Sequence, residues 1–217
     1  MNRSWQGPAV ETLFRQLYDP ASRAFSYLVA DHATRTAVTI DPEPAGTVLP
    51  LLGLVSELDL RVDYVLCTHV HEGGSSTIEH LRRQFGARIV AGVSAPVDAD
   101  VRVRQGDTVS FGSEMIRVLE TPGHTTADLS YLWRDRLFSG DALLIRGCGR
   151  TDLPGGDPGT LFDSITQRLL VLPGDTLLFP GHETHHRSVS TIAEERDYNP
   201  CVAGRSRDEF ITQRCSR

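Results

Sequence analysis

Four times along this chain an apolar, strand-like run ends on a residue that can bind a metal ion, and that repetition limits the possible folds more than any bulk property does. Val62 to Thr68 delivers His69 and His71. Met115 to Glu120 delivers Thr121, Pro122, Gly123 and His124. Leu132 to Gly140 delivers Asp141, and Thr176 to Pro180 delivers Gly181 and His182. In α/β sheets the carboxyl ends of strands are where ligands bind, and strands make a rigid platform for a site. A lone histidine is most often a surface residue or a satisfied core residue, and His32, His80, His185 and His186 are read that way. His69, His71, His124, Asp141 and His182 are read together as a metal site, because spacing and context agree for several motifs at once.

The rest of the chain supports an α/β class. Phe25–Ala30 and Thr36–Ile40 read as a hairpin, and Val48, Leu51, Leu52, Val55 and Leu58 recur at helical spacing. Ser76 to Glu79 has the form of a capping box ahead of Ile78, Leu81 and Phe85. Arg88–Ala91 and Leu129–Phe138 read as strands. A helix is expected after Thr160 through Leu161, Ile165 and Leu169, and another over Thr191–Arg196, stopped by Asn199 and Pro200. At 217 residues with no repeat or long linker, one domain over 1–217 is expected.

Net charge of −6 argues against a nucleic-acid partner, which needs a basic patch. All 22 basic residues are arginine, a hint of a GC-rich, bacterial coding sequence. The longest apolar stretch, around Val48 to Val55, is too short to span a bilayer, so no membrane association is expected. Cys67, Cys148, Cys201 and Cys215 contain no C-x-x-C pair and do not make a disulfide scaffold; with no signal-peptide pattern at the N-terminus, a reducing cytoplasm is the expected compartment. Oligomeric state is open, with a homodimer among the expectations.

Thr68-His69-Val70-His71, Thr121-Pro122-Gly123-His124, Ser139-Gly140-Asp141 and Pro180-Gly181-His182 are similar, in order and spacing, to the metal motifs of the metallo-β-lactamase superfamily. That resemblance implies a four-layered αββα sandwich. It departs at one place that matters chemically: the superfamily's T-H-x-H-x-D-H reads here Thr68-His69-Val70-His71-Glu72-Gly73-Gly74, and glycine brings no side-chain donor. A second metal would keep only Asp141 and His182, with Glu72 as a poor substitute for the missing pair, so His182 is expected as the remnant of a vacant second site. A dinuclear mechanism, in which both ions position hydroxide, looks disabled. One metal is not. His69, His124 and Asp141 can form a 2-His-1-carboxylate face with positions left open, the arrangement of non-haem Fe(II) oxygenases, although spacing alone does not choose iron over zinc.

The thirteen residues Gly140 to Asp152, and the tail with Glu194, Glu195, Asn199 and Pro200, resemble the signature segments of persulfide dioxygenases. The resemblance implies one Fe(2+) per chain on His69, His124 and Asp141, with His71 beside it, and oxidation of glutathione persulfide by O₂ and water to sulfite and glutathione. Arg146 and Arg150 are candidates for the glutathione carboxylates, since arginine pairs bidentately with carboxylate; an internal salt bridge to Asp152 or an acidic loop is the equal alternative for each. Cys148 reads as a small packed residue. Glu183-Thr184 and Cys201 stand where the family often has Asp-Tyr and an arginine. Two other readings are a thioester hydrolase of glyoxalase II type and a non-catalytic metal-binding member of the fold.

Overall fold

The computed structural model describes residues 12–42, 45–70 and 76–215. Two six-stranded sheets lie face to face. The first runs β1 (Thr12–Asp19), β2 (Ala24–Asp31), β3 (Thr36–Ile40), β4 (Arg61–Leu66), β5 (Arg88–Gly92) and β6 (Val101–Val103), neighbours in sequence being neighbours in space. The second orders β12 (Ser190–Thr191), β11 (Leu177–Pro180), β10 (Arg136–Gly140), β9 (Leu129–Trp133), β8 (Glu114–Glu120) and β7 (Thr108–Phe111). Between the sheets, Phe25, Tyr27 and Val29 of β2 meet Tyr131, Phe138 and Phe179 of β9, β10 and β11.

The alternate residues face the other way. Leu28, Ala30, Val62 and Val65 pack on α1 (Ala45–Glu57) and α2 (Ser76–Phe85) through Leu51, Val55, Ile78 and Leu81. Leu119, Leu137 and Leu178 pack on α3 (Pro158–Ser164), α4 (Ile192–Tyr198) and α5 (Arg207–Cys215) through Leu161, Ile192 and Phe210. The layers are therefore helix, sheet, sheet, helix, as expected. A strand covered on both faces reads as a continuous apolar run, which is why β2 is buried at all eight positions.

Several local expectations shift. The run from Leu129 to Phe138 is two antiparallel strands, β9 and β10, because Arg134 takes a left-handed turn conformation at φ +53°. α3 begins before Thr160, at Pro158: the Asp157 side chain accepts from the Thr160 N–H at 2.6 Å, and proline suits the first helical position. The helix then widens into a π-helical turn over Ile165–Leu169. The Glu79 carboxylate pairs with Arg82 at 3.1 Å, one turn onward on α2. β1 was not anticipated, because its half-exposed edge position lets Arg15 and Gln16 interrupt the alternation.

Hydrogen bonds across the sandwich fasten the strand ends that carry the site. Tyr131 Oη donates to the Cys67 carbonyl at 2.9 Å, Tyr27 Oη donates to the Pro180 carbonyl at 2.5 Å, and the Leu129 N–H donates to the Thr68 carbonyl at 2.7 Å. At the far end Asp31, 1% exposed, closes the same sandwich. Its carboxylate accepts from Ser113 N–H at 2.8 Å, Ser113 Oγ at 2.9 Å and Thr34 Oγ1 at 2.8 Å.

The Ser113 backbone N–H, with burial opposing it and the Thr34 and Ser113 hydroxyls assisting, holds the Asp31 carboxyl well below the usual carboxylate range. A carboxyl depressed in the folded state stabilises above its unfolded pKa, about 3.9, and that stability is lost as pH falls toward the folded value. Asp31→Asn should therefore lower stability at neutral pH and flatten the loss of stability on the acid side, as read by urea unfolding from pH 7 to pH 3. An unchanged acid slope would show that this carboxylate does not couple the two sheets.

Candidate metal centre

Each candidate side chain leaves a strand end of the sandwich. β4 runs through Cys67 and Thr68 to His69; β8 leads to His124; β10 ends at Gly140 beside Asp141; β11 is followed by Gly181 and His182. The structure brings His69, His124 and Asp141 together, with one ligand-capable atom from each within 4.8 Å of the others. His124 Nε2 stands 3.8 Å from Asp141 Oδ2. That is too long for a hydrogen bond, and is of the order expected for two donors each about 2.0–2.2 Å from a shared ion. The His69 and His124 rings meet edge to face, with centroids 5.2 Å apart.

Both histidines are held in one tautomer. His124 Nδ1 lies 2.8 Å from the Arg150 carbonyl. A carbonyl only accepts, so Nδ1 carries the proton and Nε2 keeps its lone pair. Thr68 Oγ1 donates its single proton to Asp41 Oδ2 at 2.6 Å, so it can only accept from His69 Nδ1, 2.9 Å away; His69 Nε2 is likewise left as the donor atom for a metal. Asp41 also accepts from the Thr68 N–H at 2.7 Å and sits in a left-handed conformation at φ +47°. Burial pushes its carboxyl up, while His69 and Thr68 pull it back. Behind His124, Asp128 accepts from the His124 and Thr125 N–H groups at 2.9 and 2.6 Å.

Burial also pushes the Asp141 carboxyl up, but His182, His69 and His124 together outweigh it and hold the group at about 2. His182 Nδ1 is 2.7 Å from Asp141 Oδ1, and that contact raises the His182 imidazole above its ordinary value. Two glycines make room for this. A Cβ on Gly140, at φ +52°, would stand 2.4 Å from Thr68 Oγ1. One on Gly149 would stand 2.4 Å from the Asp141 carbonyl and 3.0 Å from the His124 ring.

The other sequence candidates fall differently. His71, with Glu72, Gly73 and Gly74, lies outside the described residues. The Arg146 guanidinium is bound to Glu194 at 2.6 Å and to Glu195 at 2.8 Å, so its charge is already neutralised by the acidic tail. Arg150 pairs with Asp152 at 2.7 Å, and its side chain is 60% exposed. The loop carrying it continues through Leu153, Pro154 and Gly155, which with Val70, Thr125 and Thr126 line a cleft of about 560 Å³. Glu183 binds Arg23 at 2.8 Å. Asp41 and Asp128 escaped the sequence reading, although Asp41 follows the apolar run of β3 and so obeys the strand-end rule that singled out the others.

Two mixed sheets, flanking helices and donors gathered at their strand ends define the metallo-β-lactamase superfamily, whose model matches residues 76–182. The human mitochondrial persulfide dioxygenase ETHE1 is 38% identical over 210 residues, covering 94% of this chain and 81% of its own length. The crystal structure of ETHE1 from Myxococcus xanthus superposes with a TM-score of 0.88 at 48% identity, covering 92% of this chain and 88% of that one. A hydroxyacylglutathione hydrolase from Rhodopseudomonas palustris is 34% identical over 191 residues, covering 84% of this chain and 71% of its own length. The chain belongs to the persulfide dioxygenase family of that superfamily.

The Asp41–Thr68–His69 relay generates a prediction. Thr68→Val keeps the shape and removes the hydroxyl, so metal affinity should fall about 10- to 100-fold, as for other lost partners of metal-bound histidines. Thr68→Ser should restore most of it. Chelator competition measures both; equal affinity in all three proteins would mean that the hydroxyl does not orient His69.

Proposed function

We propose that this chain is a mononuclear non-haem iron dioxygenase. It would oxidise glutathione persulfide with O₂ and water to sulfite and glutathione, with His69, His124 and Asp141 holding one Fe(2+). The observation that carries this reading is the two-histidine, one-carboxylate set whose imidazoles are already committed to the ligating tautomer. The donors suit the ion: neutral imidazole and carboxylate are ligands of non-haem Fe(II), and one face of such a set stays open. The sequence at Gly73 and Gly74 supplies no donor for a second ion.

Bound iron would supply the electron transfer that lets a persulfide and O₂ react. The protein's part is geometric and electrostatic. Thr68 and the Arg150 carbonyl keep the imidazoles aimed at one point. Asp141, kept ionised by the surrounding histidines, offsets part of the ion's charge. The cleft beside Val70 and Thr125 is the entry for the thiol carrier, and Arg150 is its cationic contact, exchanging Asp152 for a glutathione carboxylate. With Arg146 committed to Glu194 and Glu195, the more exposed Arg150 is the better placed of the two arginines for recognition. Among the described residues no helix is long and apolar enough to cross a membrane.

Elemental analysis of protein purified without added metal, run beside oxygen-electrode assays with glutathione persulfide, tests the reading. One iron per chain with O₂ uptake is expected. Two zinc ions and thioester hydrolysis instead would give the chain to the hydrolase reading, which the Rhodopseudomonas relative keeps in view; metal without turnover of either substrate would leave a binding protein. Asp141→Ala should abolish iron retention and activity, whereas His182→Ala should keep most of the iron. Equal iron loss in the two variants would overturn the ligand assignment.

Arg150→Ala should lower kcat/KM for glutathione persulfide about ten- to a hundredfold, the worth of a lost charge-assisted pair, through KM. Iron content should hold, and so should the melting temperature, since an ion pair as exposed as Arg150 with Asp152 contributes little stability. An unchanged KM with intact iron would remove Arg150 from substrate recognition.

A further inference from the structure

Away from the metal centre, a second group of reactive side chains surrounds a separate cavity. Cys148, in the loop after Asp141, and Cys201, just past the C-terminal end of α4, face the same hollow. Arg214 of α5 reaches both: its Nη2 contacts Cys148 Sγ and lies 3.5 Å from Cys201 Sγ. Cys148 is buried, Cys201 is half-buried, and both line a hollow of about 410 Å³ together with Arg146, His185 and Arg214. None of these groups serves the metal centre.

We propose that Cys201, Cys148 and Arg214 form a thiol-exchange site, in which Cys201 attacks the sulfur–sulfur bond of a small disulfide or persulfide and Cys148 resolves the product to an internal disulfide. The division of labour follows from the surroundings. The Cys148 thiol donates to Cys201, and Arg214 and Arg205 add positive charge; against the cost of burial these lower Cys201 to about 6. The same hydrogen bond, and burial, push Cys148 up. Cys201 is the more exposed of the two sulfurs, so a small substrate reaches it first, and its lowered thiol favours the thiolate, which is the nucleophilic form; Cys148 is buried, with its thiol pushed up. With a disulfide RSSR, Cys201 forms a mixed disulfide and expels RS⁻; Cys148 then attacks Cys201 Sγ, expelling the second thiol while its own proton goes to a released thiolate. Two protein sulfurs are oxidised and RSSR is reduced to RSH and RS⁻, the latter taking up from water the proton that Cys201 had already given to it. With a persulfide RSSH, Cys201 takes the outer sulfur and releases RSH, and attack by Cys148 then releases hydrosulfide.

The test uses the reduced, metal-loaded protein, treated separately with oxidised glutathione and with glutathione persulfide, then alkylated and mapped by peptide mass spectrometry. A Cys148–Cys201 disulfide is expected in the wild type, and whichever arm forms it identifies the source of the sulfur–sulfur bond. Cys148→Ser should trap a glutathione or persulfide adduct on Cys201, while Cys201→Ser should leave Cys148 unmodified. Thermal melting confirms that each variant is folded; if Cys148→Ser is not, Cys148→Ala takes its place. The alkylation rate of Cys201 should rise with a midpoint near pH 6, the facing charges being Arg214, Arg205, Arg146 and His185, and Arg214→Gln should move that midpoint upward. The site is refuted if Cys201 of a folded Cys148 variant stays unmodified in both arms, or if modification maps only to Cys67 or Cys215. No step needs iron, so protein reloaded with zinc should behave identically, and the outcome is separable from that of the dioxygenase assays.

Discussion

A buried carboxylate sets the terms for the rest of the site. Asp141 is taken out of water at a strand end, and an ionised group there is costly unless charge and hydrogen bonds answer it. His182 does so directly through its hydrogen bond, and an ion held with His69 and His124 would complete the compensation. These residues come from different strands of both sheets, so the compensation exists only when the sandwich is closed and its strand ends are in register. The bonds from Tyr131 to Cys67 and from Leu129 to Thr68 belong to the same requirement, because they fix where β4 ends relative to β9. A small error in sheet packing would leave Asp141 buried without its partners.

The parts of this arrangement that were legible in the sequence are those with a period or a place at a strand end. Continuous apolar runs announced the doubly covered strands, and His69, His124, Asp141 and His182 announced themselves by following them. β1 was hidden because an edge strand with one half-exposed face needs no strict alternation. The split between β9 and β10 was hidden because Arg134 and Asp135 turn the chain without glycine or proline to mark it. The partners of Arg146 lie 48 and 49 residues further on, a pairing no local pattern encodes. Asp41 was available to the same strand-end logic as the ligands. It was passed over because its role is to hold Thr68, a residue whose own part in the site depends on a single hydroxyl proton.

The loop from Gly140 to Asp152 bears an unusual density of tasks. Gly140 lets Thr68 approach, Asp141 faces the metal centre, Gly149 lies against the His124 ring, and the Arg150 carbonyl fixes the tautomer of His124. Cys148, in the middle of these, turns away to meet Cys201 and Arg214. Glu195 and Asn199 hold the loop from outside, through the Arg146 N–H at 2.8 Å and the Leu144 and Gly147 carbonyls at 3.1 and 3.0 Å. Few residues of this segment can change without moving another.

Arg150 is the exception, and it divides its labour by atom. What His124 needs from it is a carbonyl oxygen, which every amino acid possesses, while the guanidinium projects outward to Asp152 and water. Residue 150 can therefore be replaced without altering the chemistry of the ligand it steadies. Under the function proposed above, a lineage carrying this fold is free to explore new thiol carriers at that one side chain while its metal chemistry stays insulated from the experiment.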